Sequence, residues 1–87
     1  MKFNGINNGT LLEAKSSYDN FVNKNGEFQD WFIGKDPLVD QARRQLEAAN
    51  GSVIEWNFSS QKSLNATKTL FEQNNIRSIL LKYTPIN

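Results

Sequence analysis

The stretch Leu11-Leu12-Glu13-Ala14-Lys15 decides how this chain is read. It sets a carboxylate and an amine two residues apart inside an apolar run. Such a run reads as a buried strand, and side chains alternate between the two faces of a strand. Glu13 and Lys15 therefore share one face, and Leu12 and Ala14 take the other. Burying either charge alone is costly, so a buried pair needs a reason. A metal ion held by Glu13, with Lys15 beside a reacting phosphate, supplies one. An edge strand whose polar face meets water supplies a simpler one. On the pentapeptide alone the simpler reading prevails, so the flanking sequence must decide.

Upstream, residues 2–7 fit a short strand with Phe3 as its apolar anchor. Asn7-Asn8-Gly9 is a turn signal, because Asn and Gly tolerate positive φ. Residues 10–15 then form the returning arm of a β-hairpin. Downstream, residues 16–35 are irregular. Tyr18, Phe21 and Val22 have the spacing of a short helix, which Asn23 to Gly26 ends. Phe28, Trp31 and Phe32 read as packing anchors in a long loop rather than as a ligand cage.

The clearest element follows. Asp36 suits a helix cap and Pro37 a first turn, and Gly51 suits the position just past the end. Between them Leu38, Val39, Ala42, Leu46 and Ala49 form an apolar stripe at helical spacing. Gln41 and Gln45 lie one turn apart on the edge of that stripe, and Arg43, Arg44 and Glu47 face outward. Residues 53–58 alternate, with Ile54, Trp56 and Phe58 on one face and Val53, Glu55 and Asn57 on the other. Ser59 or Ser60 caps a second helix over residues 61–74, with Leu64, Leu70 and Phe71 inward. Residues 77–84 form a last strand, with Ile79, Leu81 and Tyr83 against Leu80. The order is β-β-(short α)-α-β-α-β, an α/β fold. Its mixed sheet has an antiparallel opening hairpin and parallel pairing through the helices. No repeat or linker divides the chain, so residues 1–87 are read as one domain.

Composition narrows the chemistry. Of the 87 residues, 38% are hydrophobic and 22% charged, which suits a globular domain with a modest core. No apolar run approaches the ~20 residues of a membrane helix, and no signal peptide is visible. Cysteine is absent, which excludes disulfides, thiolate metal sites and Cys nucleophiles. Histidine is absent too, which excludes Ser-His triads and imidazole acid/base work. Catalysis here must use carboxylates, Lys, Tyr or a hard metal on oxygen ligands. The net charge of +1 gives no bulk attraction to nucleic acid, so binding would need a local patch.

An acidic residue, a turn, then (D/E)-x-K on the neighbouring strand is the signature of metal-dependent nucleases. Two carboxylates hold Mg²⁺, which polarises the phosphate and lowers the pKa of a bound water. The lysine steadies the attacking water or the developing charge. Phe3-Asn4-Gly5, the pentapeptide, Tyr18 and Phe21 resemble the start of the restriction-endonuclease-fold toxin family 5. These are PD-(D/E)xK nucleases that bacteria use as C-terminal toxic tips against competitors. The resemblance continues in order through Trp31-Phe32, Gln41-Ala42-Arg43-Arg44-Gln45, Ile54-Glu55-Trp56-Asn57-Phe58 and Tyr83-Thr84-Pro85.

The resemblance implies a compact restriction-endonuclease-like core and a set of roles. Glu13 becomes a metal ligand for Mg²⁺ or Mn²⁺, and Lys15 the catalytic lysine. Gln41 and Gln45 contact the phosphate backbone or order the water. Arg43 or Arg44 touches phosphates, unless the pair is simply a solvated helix face. It also implies DNA as substrate with RNA open, a cognate immunity protein, and secretion on a larger effector that acts in the target-cell cytoplasm.

Two positions depart from the family pattern. Asn4 stands where the pattern carries Asp, so one ligand supplies a carbonyl and no charge. Either this copy is impaired, or it was altered for safe production, or another acid such as Asp19 stands in. Asn57 stands where relatives often carry His, which puts acid/base help from that position in doubt and leaves it as a nucleic-acid contact. The chain also opens at the hairpin, without the helix that usually precedes it in the superfamily. An apolar surface left there would invite a partner chain or self-association.

Overall fold

Gly9 adopts the φ of +85° that the hairpin turn requires. The strands on either side, β1 (Gly5–Asn7) and β2 (Thr10–Lys15), pair antiparallel with Asn7 opposite Thr10. The computed structural model describes residues 5–7 and 9–85; Phe3, Asn4 and Asn8 lie outside them. The chain continues through α1 (Lys35–Ala49), β3 (Ile54–Phe58), α2 (Gln61–Gln73) and β4 (Ile79–Tyr83). The strands form one mixed sheet in the order β1-β2-β3-β4, with β2, β3 and β4 parallel. The expected α/β class and strand pairing are those observed.

This order places β2 between β1 and β3. The edge-strand reading of the pentapeptide therefore fails, because β2 is paired on both sides. Its polar face does not meet water either. The register sets Leu11, Glu13 and Lys15 beside Ile54, Trp56 and Phe58, which sit in turn beside Ile79, Leu81 and Tyr83. Ile54, Trp56 and Phe58 are wholly buried beneath the helices. Side chains of that size each stabilise the fold by about 1.5–3 kcal/mol on burial. On the opposite face Ala14, Leu80 and Lys82 are exposed, and Leu12, Glu55 and Asn57 half-buried.

Helix α1 buries Leu38, Val39, Ala42, Gln45 and Ala49. It starts two residues earlier than the Asp36 cap predicted, with Gly34 at the cap position. Gly34 already has near-helical dihedrals, so Asp36 and Pro37 fall inside the first turn. There a missing N–H is harmless and a carboxylate favours the helix dipole. Gly34 has an ordinary φ and is needed for space. A Cβ there would stand 2.2 Å from the Phe32 ring. The helix ends on Asn50 in the left-handed region (φ 49°), followed by Gly51 (φ 93°).

The expected short helix near Tyr18 shrinks to one 3-10 turn, Asp19–Phe21. Here aromatic packing replaces regular structure. Phe21 stacks on Phe32 with centroids 4.4 Å apart, and Phe28 packs against Phe32 at 5.0 Å. Phe28 and Phe32 are buried as anchors, whereas Trp31 is 62% exposed against the edge of Phe21. Ser60 caps α2 by accepting a bond from the Ser63 backbone N–H (3.3 Å), and Leu64, Leu70 and Phe71 point inward as predicted. Tyr83 shares the face of Ile79 and Leu81 but is 45% exposed at the end of β4.

Candidate active site

Three elements bring one polar cluster together beneath the helices. Strand β2 contributes Glu13 and Lys15, α1 contributes Gln41 and Gln45, and β3 contributes Trp56. The Lys15 Nζ lies 3.2 Å from Glu13 Oε2, the two side chains being 9% and 11% exposed. Lys15 Nζ also donates to Gln41 Oε1. Gln41 Nε2 donates to Glu13 Oε2 at 3.1 Å, and Gln45 Nε2 to Glu13 Oε1 at 3.2 Å. The Trp56 indole N–H donates to Gln45 Oε1 at 2.6 Å, and the Lys15 ammonium sits 4.6 Å from the centre of the same indole ring.

Gln45 is wholly buried, more deeply than its predicted place on the edge of the stripe. Each helical step turns about 100°, so position 45 falls only about 20° round the helix from Leu38, next to the arc that Ala49 and Ala42 complete. Its amide is tolerated there because both ends are bonded. Indeed no buried side-chain polar atom among the described residues lacks a partner. Glu13 meets three donors, the pattern of a carboxylate acting as acceptor. Its charge reaches beyond the cluster. Burial pushes the Tyr18 hydroxyl above its usual range, a bond with Ser16 opposes this, and the Glu13 charge adds to it.

The donor set bears on the metal. Among the described residues no three His, Cys, Asp or Glu side chains gather into one group. Glu13 is the carboxylate of this cluster, and the oxygens of Gln41 and Gln45 are engaged by Lys15 and Trp56. One carboxylate completed by phosphate and water oxygens fits Mg²⁺, which keeps much of its water and takes few protein ligands. It does not fit an ion that needs thiolate or imidazole ligands, since the chain has neither Cys nor His.

The remaining candidates lie elsewhere. Asn4 is outside the described residues. Asn57 belongs to the opposite face of the sheet and accepts a bond from the Thr84 hydroxyl at 3.0 Å. Arg43 and Arg44 are exposed, and Arg43 reaches toward the Asn74 carbonyl of the α2 end at 3.4 Å. The Asp19 carboxylate does not join Glu13. It accepts from the hydroxyls of Ser60 (2.5 Å) and Ser63 (2.7 Å) at the start of α2. Sequence reasoning places Trp56 on one face of its strand with Ile54 and Phe58 and gives it no role in the site. The signal that pointed to more was its register position opposite Glu13, which strand alternation gives only once β2 and β3 are paired.

A family model described as restriction endonuclease fold toxin 5 matches residues 1–61, more than half of the chain. The matched span holds every residue of the polar cluster and ends at the first residue of α2. No curated protein and no solved structure matches the chain.

Proposed function

The chain belongs to the restriction endonuclease fold toxin 5 family, and from that premise we propose that it is a metal-dependent endonuclease domain cutting DNA in a competitor cell. The observation that carries this reading is the convergence of Glu13, Lys15, Gln41 and Gln45 in one desolvated cluster. A domain with no catalytic task has little reason to turn a charged pair inward while Ala14 faces solvent.

Glu13 and the side-chain oxygen of Asn4 would hold Mg²⁺ or Mn²⁺, which would polarise the scissile phosphate and lower the pKa of a bound water. The protein's own groups do the rest. Lys15 carries three N–H donors and turns one toward the charge that develops on the phosphate. Gln41 and Gln45 hold both oxygens of Glu13 in place, and low exposure strengthens each of these interactions. Arg44 meets the phosphate backbone. Asn57 contacts nucleic acid from the other face of the sheet. The domain travels on a larger secreted effector, and a cognate immunity protein neutralises it.

Asn4 supports a second reading, a non-catalytic DNA- or protein-binding module on the same fold. Nicking of supercoiled plasmid in Mg²⁺ separates the two. We expect weak or no cutting by the chain, clear cutting by Asn4→Asp, and none by Asn4→Asp with Glu13→Ala. A parallel RNA substrate decides the nucleic acid. If restoring the acid yields no cutting of either polymer, and Glu13→Ala alters neither metal nor DNA binding, the nuclease reading is wrong. DNA affinity that ignores metal would then favour the binding module.

A further inference from the structure

We propose that Trp56 is the positioning residue of this site, orienting both glutamines and, through them, the Glu13 carboxylate toward a divalent cation. This inference rests on the metal-dependent reading above and extends it to a residue that the reading does not use.

The argument starts from the ambiguity of an amide. A glutamine side chain presents an oxygen and a nitrogen at almost the same positions, and the surrounding network decides which end goes where. Glu13 needs the nitrogen end of both glutamines, because a carboxylate only accepts. A donor on the far side of each amide enforces that choice. For Gln45 the donor is the Trp56 indole N–H, 2.6 Å from Oε1, which leaves Nε2 to face Glu13 Oε1. For Gln41 the donor is the Lys15 ammonium, which leaves Nε2 to face Glu13 Oε2. The two amides thus form parallel relays, each turning a donor on one side into a donor aimed at one carboxylate oxygen.

Trp56 takes part in both relays. Its N–H fixes the first, and its ring face lies 4.6 Å from the ammonium that fixes the second. An ammonium over an indole face is attracted to it, most strongly where water is excluded. The ring itself has little freedom. It is wholly buried on the strand between β2 and β4, with Phe71 edge-on at 5.2 Å and Phe58 at 6.5 Å. A plain hydrophobic anchor at this position would fill the same volume and offer no N–H. Gln45 Oε1 would then be buried without its donor, and Nε2 would be held toward Glu13 by the carboxylate alone.

The test is a double-mutant cycle read by calorimetric Mn²⁺ affinity in the Asn4→Asp background. Trp56→Phe keeps the ring face and removes the N–H. Gln45→Met removes the same relay from its other end. Each should weaken Mn²⁺ binding 10- to 100-fold, as outer partners of metal ligands do. The double variant should be no weaker than either single one, because both break one connection. A metal-free measurement accompanies it. The indole N–H resonance of Trp56, identified against Trp31→Phe, should lose its exchange protection in Gln45→Met while the backbone amides of β3 keep theirs.

Undiminished Mn²⁺ affinity in Trp56→Phe, or losses that simply add, would overturn the positioning role while leaving the metal site standing. Mn²⁺ binding that is indifferent to Glu13→Ala would instead overturn the reading on which the role rests. If Trp56→Phe fails to fold, Gln45→Met and the indole exchange still decide. Retained protection in that variant, with unchanged Mn²⁺ affinity, would sink the proposal.

Discussion

Glu13 and Lys15 are each about one-tenth exposed, so each depends on the other for its charge to be tolerated. Glu13→Ala leaves the ammonium with Gln41 Oε1 and the Trp56 face alone. We expect a loss of about 3 kcal/mol in urea unfolding, the low end for a broken buried pair. Glu13→Leu with Lys15→Met should cost less than Glu13→Ala, because it removes both charges together. Much of this arrangement was legible in the residues themselves. Alternation alone placed Glu13 and Lys15 on one face, and helical spacing placed Gln41 and Gln45 on one side. Sequence does not give the rotation of α1 over the sheet, so the full burial of Gln45 was not legible. Nor was the bond from Trp56, which joins residues of two elements whose relative pose is set by packing.

At the scale of elements, the start of α2 is tied to the irregular segment through Asp19. Bonds from Ser60 first and Ser63 second hold the Asp19 carboxyl below its ordinary value of 3.8; slight desolvation opposes them, and Ser17 and Lys62 assist. A depressed pKa gives stability that is present above the ordinary value and lost as pH falls through the depressed one. The gap in thermal midpoint between the native chain and Asp19→Asn should therefore be fully open at pH 7 and close on acidification below pH 3.8. Ser60→Ala, which removes the cap, should cost about 1 kcal/mol at pH 7. The start of α1 has a different constraint. Gly34→Ala has no φ to fight but must displace the Phe32 ring from its stack on Phe21. We expect about 1–3 kcal/mol of destabilisation in urea, the range for overpacking. The element order and strand directions were legible from periodicity and connection length. The 3-10 turn at Asp19–Phe21 was not, because its aromatic spacing mimics a helix while long-range ring packing sets its conformation.

For the molecule as a whole, a net charge of +1 means that affinity for DNA cannot come from the overall field. On the proposed nuclease reading individual contacts must carry it, and the two arginines of α1 are not equivalent. At about 100° per residue, Arg44 lies about 60° round the helix from Gln41, whereas Arg43 lies nearly opposite it. Arg44→Ala should therefore lower the slope of log affinity against log salt by about 1, the share of one phosphate contact. Arg43→Ala should leave that slope unchanged in the same fluorescence-anisotropy titration. The pairing of Glu13 with Trp56 has a further consequence, for the order of events as the chain folds. Hairpin and helix can each form from neighbours in sequence, but the β2–β3 register must close a long loop before it gains anything. We therefore expect Glu13→Ala and Trp56→Phe to speed unfolding and leave the refolding rate nearly unchanged, the kinetic mark of a cluster that assembles after the rate-limiting step.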